Sequence, residues 1–169
     1  MNKPVVQEDG LGCGVACVAF ILSTSYKEAL ELFDKEKVKS RTYCVDIQRA
    51  LEKGGKKYFY RKLMSKSGNI YEQGAIIFIK RSQKYPFGHF LARGNGRWVD
   101  PWINLAAGSN IKNAQAGFRK RLPGKPTYGI FPTRTKTSKT QALIVRPLRS
   151  STKTEPVKGD APNRGGCQN

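Results

Sequence analysis

The chain reads as a single α+β domain, on three observations. Helix-like segments fill its first third, strand-like segments follow Gly55, and an Asn95-Gly96 turn joins two of those strands. Residues 13–22 (CGVACVAFIL) predict a short helix that is apolar on nearly every side and therefore buried. Ser25-Tyr26-Lys27-Glu28 is a capping-box pattern, and Ala29, Leu30, Leu32 and Phe33 extend it into an amphipathic helix ending near Lys35. A third helix starts around Cys44, carries Ile47, Ala50 and Leu51 on one face, and stops at Gly54-Gly55.

Beyond Gly55 the period changes. Lys57–Lys62 alternates around Tyr58 and Tyr60, and Ala75–Ile79 is a continuous apolar run. Phe87–Arg93 and Arg97–Trp102 are two further strands. Gly94-Asn95-Gly96 between them is a hairpin signal, because Asn and Gly accept positive φ. Ile111–Phe118 predicts one or two more helical turns, and Thr127–Phe131 a last strand. From Thr133 the composition turns to Thr, Ser, Lys, Arg and Pro with one apolar island at Ala142–Val145. The expected division is therefore a domain over 1–132 and a basic appendage over 133–169, with 149–169 flexible.

Of the 169 residues, 31 are Lys or Arg and 12 are Asp or Glu, a formal charge of +19. Residues 1–132 hold 23 basic and 10 acidic side chains (+13), and residues 133–169 hold 8 and 2 (+6). Such a surface attracts nucleic acid, acidic protein or anionic headgroups non-specifically, although no nucleic-acid motif accompanies it. The longest apolar run, Val15–Leu22, is far short of the roughly 20 residues of a membrane span. Its weakly charged flank does not read as a signal peptide, so the expectation is a soluble, cytoplasmic protein. Four cysteines, two of them four residues apart and one near the C-terminus, do not form a disulfide framework and fit a reducing compartment.

Cys13 opens the first predicted helix behind a glycine-rich entry, Asp9-Gly10-Leu11-Gly12. A helix N-terminus offers unpaired amides and the positive end of the macrodipole, which favour a thiolate, and the amide of Cys13 would face the oxyanion of an attacked carbonyl. Taken alone, the residue reads more readily as a small buried hydrophobe, as Cys17 one turn deeper does. His89 is the only histidine, so any thiol–imidazole chemistry must use it.

Asp100 enters through hairpin geometry. If Asn95-Gly96 forms the tip, Leu91 faces Asp100 and His89 lies diagonal to it. If Gly94-Asn95 forms the tip, His89 faces Asp100 directly. Both two-residue turns put His89 and Asp100 on one face of the sheet, the pairing that fixes an imidazole tautomer, whereas a three-residue loop without a bulge would put them on opposite faces. Gln7, six residues before Cys13, is spaced to give a second hydrogen bond to the oxyanion.

The segment Gln7…Gly12-Cys13-Gly14-Val15-Ala16-Cys17, with His89-Phe90 and Asp100-Pro101 following in order, resembles the bacteriocin-processing, double-glycine leader peptidases of the papain clan. The resemblance spans about residues 5–105, and the helix over Cys44–Lys53 is similar to that family's second helical segment. It implies a papain-like fold, thiol peptidase activity on a peptide or protein substrate, and no cofactor. Gly12 departs from the family, which usually has an acidic residue there, and the interval of eleven residues from His89 to Asp100 is short.

Other readings stay open at this point. A deamidase, transglutaminase or toxin effector would use the same Cys–His–Asp set on other amides. A basic nucleic-acid-binding protein would need none of it. A metal site from Cys13, Cys17 and His89 lacks the spacing of a zinc knuckle. Gly165-Gly166 is one of two Gly-Gly pairs, about the number that 17 glycines give by chance, and no self-cleavage site is read there.

Overall fold

The computed structural model describes residues 2–34, 36, 38, 41–64, 70–106 and 108–133. The appendage proposed from Thr133 onward, its apolar island and Gly165-Gly166 lie, Thr133 apart, outside the described residues. Among the described residues run the helices α1 (Cys13–Leu22), α2 (Tyr26–Leu30) and α3 (Cys44–Lys53), and Glu36 and Val38 are helical as well. None of the helices is long and apolar enough to cross a membrane. Six strands follow: β1 (Tyr58–Lys62), β2 (Ile76–Ile79), β3 (His89–Gly94), β4 (Arg97–Asp100), β5 (Gly117–Arg119) and β6 (Pro126–Pro132). They form one antiparallel sheet in the order β1-β6-β2-β3-β4-β5.

Alternation sorts the strand residues onto two faces. Ile76, Phe90, Ala92, Val99 and Ile130 join Val15, Val18, Ile47 and Leu51 in the core between helices and sheet. Ile77, Ile79, Leu91, Trp98 and Phe131 build a second buried cluster with Tyr85. The all-round apolarity of α1 suits its place: Gly14 through Phe20 are buried.

Two elements differ from the sequence expectation. The second helix keeps its Ser25–Glu28 capping box but closes at Leu30, where bonds from Leu32 N–H to the Ala29 carbonyl and from Phe33 N–H to the Leu30 carbonyl tighten the chain into turns. Between Ile111 and Phe118 only Ile111–Asn113 is helical, as a single 3₁₀ turn. The rest is recruited into the sheet, where Phe118 pairs with Val99 and Gly117 with Asp100. Tertiary pairing overrides a weak local period there.

One end of the molecule collects the element termini that matter. The Phe20 ring, near the end of α1, lies where a Cβ on Gly94 would be, at the end of β3. Helix and strand therefore run alongside each other in the same direction, and their first residues, Cys13 and His89, share an end. β4 returns antiparallel from the turn, so its last residue, Asp100, arrives at that end too.

Candidate active site

The hairpin uses the Asn95-Gly96 tip. Ala92 faces Val99, Arg93 faces Trp98 and Gly94 faces Arg97, while Asn95 (φ 54°) and Gly96 (φ 69°) take the left-handed conformations of a type I′ turn. His89 and Asp100 are thus diagonal on one face, and His89 Nε2 lies 2.8 Å from Asp100 Oδ1. An ionised carboxylate only accepts, so Nε2 carries the proton and Nδ1 is left for another partner. Gly88 sets the ring's approach: its φ is +76°, and a Cβ there would collide with the Phe78 ring. Tyr85 stacks on the imidazole at 5.0 Å between centroids and 15° between planes.

Asp100 is fully buried and every approach to it is filled. Oδ1 also accepts from the Trp102 N–H at 2.9 Å, and Oδ2 accepts from Arg119 Nε at 2.5 Å. Arg119 in turn donates through Nη2 to the Ile103 carbonyl at 2.7 Å. Burial on its own would raise the Asp100 pKa, but the His89 hydrogen bond and charge, with Arg119 and the Trp102 N–H, hold it below the usual carboxylate range. Sequence reasoning missed Arg119. Its signal lies in the β4–β5 register, where Arg119 faces Trp98 and so shares Asp100's face.

For His89, 3% exposed, burial disfavours the imidazolium. Hydrogen bonds to Asp100 and to Cys13, together with the charges of both, outweigh it and push the pKa up to about 9. The imidazole thus stands between a carboxylate and a thiol. Cys13 is the first residue of α1, so its N–H has no partner inside the helix.

The entry loop is shaped by Asp9. Its carbonyl accepts from Gly12 N–H at 3.2 Å and from Gln7 Nε2 at 3.0 Å. Its carboxylate accepts from Leu11 N–H at 3.1 Å and from the Tyr26 hydroxyl. That hydroxyl packs against Gly12 so closely that a Cβ at Gly12 would collide with it, which accounts for a glycine before the thiol. Because a carbonyl fixes one Nε2 proton of Gln7, the amide orientation is set and its second Nε2 proton remains to donate elsewhere. Gln7 is 2% exposed, and its Oε1 has no partner among the described residues.

Gln7, Cys13 and His89 line one cavity of about 260 Å³, with Trp102, Tyr85 and Phe87 among its walls, and Asp100 stands behind the imidazole. Cys17 lies in the core, where burial, with the charges of Cys13 and Asp100, holds its thiol well above the ordinary value. Burial likewise pushes Cys44, at the start of α3, up to about 11. Among the described residues no three His, Cys, Asp or Glu side chains are placed to hold a metal ion. Brief iodoacetamide treatment near neutral pH should therefore label Cys13 before Cys17 and Cys44, read by peptide mass mapping. First labelling at Cys17 would mean that the accessible thiolate had been misplaced.

No family model and no curated protein matches the chain. Among solved structures it is similar to the peptidase domain of Streptococcus ComA, described as a bifunctional ABC transporter involved in a quorum-sensing pathway. The TM-score is 0.51 at 18% identity, over 80% of this chain and 100% of that domain. The architecture, helices packed on a six-stranded antiparallel sheet, is accordingly the papain-like α+β fold, shared with that peptidase domain. At that identity the likeness defines the fold and leaves the chemistry to be argued from the site.

Proposed function

We propose that the protein is a cysteine peptidase that cleaves peptide bonds with Cys13 as nucleophile, His89 as acid and base, Asp100 as orienting carboxylate and Gln7 as oxyanion donor. The observation that carries this is the imidazole of His89, held through Nε2 by a buried carboxylate and lining one cavity with a thiol at a helix N-terminus. In this reading the Cys13 thiolate attacks the scissile carbonyl carbon, and the carbonyl oxygen takes the displaced electron pair. The Cys13 N–H and the free Nε2 proton of Gln7 donate to that oxygen. His89 gives its Nδ1 proton to the departing amine, leaving a thioester. Water, losing a proton to Nδ1, then adds to the thioester, and the thiolate leaves with the imidazolium restored. Asp100 stays ionised throughout, as its lowered pKa favours.

A deamidase or transglutaminase would use the same groups on a side-chain amide, and the products separate the two. Proteome comparison of cells carrying the native chain or Cys13→Ala should reveal new peptide termini that depend on Cys13. One-dalton mass gains without new termini would favour amide chemistry instead, and neither change would remove the enzymatic reading altogether.

A further inference from the structure

A second cavity, of about 530 Å³, opens beside the first and shares Arg41, Thr42, Phe78 and Phe90 with it. It runs between the start of α3 and the sheet, with Tyr43 on one wall and Tyr60 and Tyr128 on the other. These three tyrosines are exposed. Two guanidinium groups, Arg41 and Arg81, stand in its lining and no carboxylate does. Arg41 is fixed there: Nη2 donates to the Phe87 carbonyl at 2.9 Å and the group lies 5.7 Å over the Tyr43 ring. The acid closest in sequence, Asp46, is turned into its own helix end, where it accepts from the Tyr43 N–H at 2.9 Å.

From this arrangement we infer that the trough is a specificity subsite for an acidic segment of the peptide substrate, an Asp or Glu flanked by an aromatic or aliphatic residue. The arginines meet the carboxylate and the tyrosine rings cover the neighbouring apolar side chain. Arginine beside tyrosine also suits a single-stranded nucleic acid. Continuity with the cleft that holds Cys13 favours the peptide, because a chain seated over the thiol leaves it along this trough. The inference rests on the peptidase reading above for the identity of the ligand as substrate, and its test separates the two.

The test uses the full chain carrying Cys13→Ala and three fluorescent peptides that differ only at one position, Glu, Gln or Lys, between Leu and Phe. Anisotropy at near-physiological salt should show the Glu peptide bound about tenfold more tightly than the Gln peptide. Adding Arg81→Glu should abolish that preference and turn it toward Lys. Lys112→Glu changes the net charge equally on an exposed residue outside the trough, and it should move affinity less than about twofold.

Equal losses from Arg81→Glu and Lys112→Glu would overturn the subsite, since the charge would then act only through the whole surface. An oligothymidylate that binds through Arg81 while no peptide shows charge preference would overturn it in favour of nucleic acid. If Cys13→Ala shows the charge preference but the unmutated chain leaves the Glu peptide intact, the subsite stands and the peptidase reading fails. Cleavage of all three peptides alike would do the reverse.

Discussion

Asp100→Ala should lower peptide hydrolysis by about three orders of magnitude and cost about 3 kcal/mol of stability. Both effects come from one burial. The carboxylate is wholly inside the protein and is bonded by His89, Trp102 N–H and Arg119. Its removal leaves the His89 ring buried without the acceptor that fixes its proton on Nε2, and the wrong tautomer offers the thiol no base. Arg119→Gln should do much less, because the guanidinium side chain is 23% exposed and water can take its place. It should nonetheless move the acidic limb of the pH profile upward, since Asp100 loses a cation that holds its pKa down. Hydrolysis of a labelled peptide and urea unfolding at neutral pH measure the two quantities. An Asp100→Ala protein with native rate and stability would deny the carboxylate any role.

The second large effect is on stability against pH. His89 has its folded pKa raised from an ordinary 6.5 to about 9, so its contribution is fully present below about 6.5 and is lost as pH rises through about 9. The loss should be on the order of 3 kcal/mol across that window. Asp100 works in the opposite sense: its folded pKa is depressed, so its contribution is present above the ordinary value near 3.8 and fades as pH falls toward the folded one. Unfolding free energy should therefore be highest between about pH 4 and 6.5 and decline on the alkaline side. In His89→Gln the alkaline decline attributable to this group should vanish. A profile that stays as steep in that variant would assign the decline to other groups.

Local chemistry made part of this legible before any coordinates. Alternation and an Asn-Gly turn were enough to bring His89 and Asp100 to one face, although two registers satisfied the sequence and only the packed sheet selects the Asn95-Gly96 tip. The start of α1 at Cys13 followed from glycines giving way to an apolar run, and α3 ended at Gly54 as its terminal glycines indicated. Non-local pairing hid the rest. β6 inserts between β1 and β2, an order that no local pattern encodes. β5 is three residues long, too short to show a period, and its Arg119 reaches Asp100 across nineteen positions of sequence. Asp9 read only as part of a glycine-rich entry, because its bonds to Gln7, Leu11 and Gly12 are local to an irregular loop and its bond from Tyr26 exists only once α2 is packed behind that loop.

The central claim is a thiol–imidazole pair between Cys13 and His89, and the single histidine makes it directly measurable. A ¹H–¹³C NMR titration of the imidazole Cε1–H reports one resonance and hence one apparent pKa. The pair predicts a value well above 6.5 in the unmutated chain, because Cys13 supports the imidazolium by hydrogen bond and charge. In Cys13→Ala the value should fall, since burial then opposes Asp100 alone. An imidazole that titrates identically in the two proteins would contradict the pair.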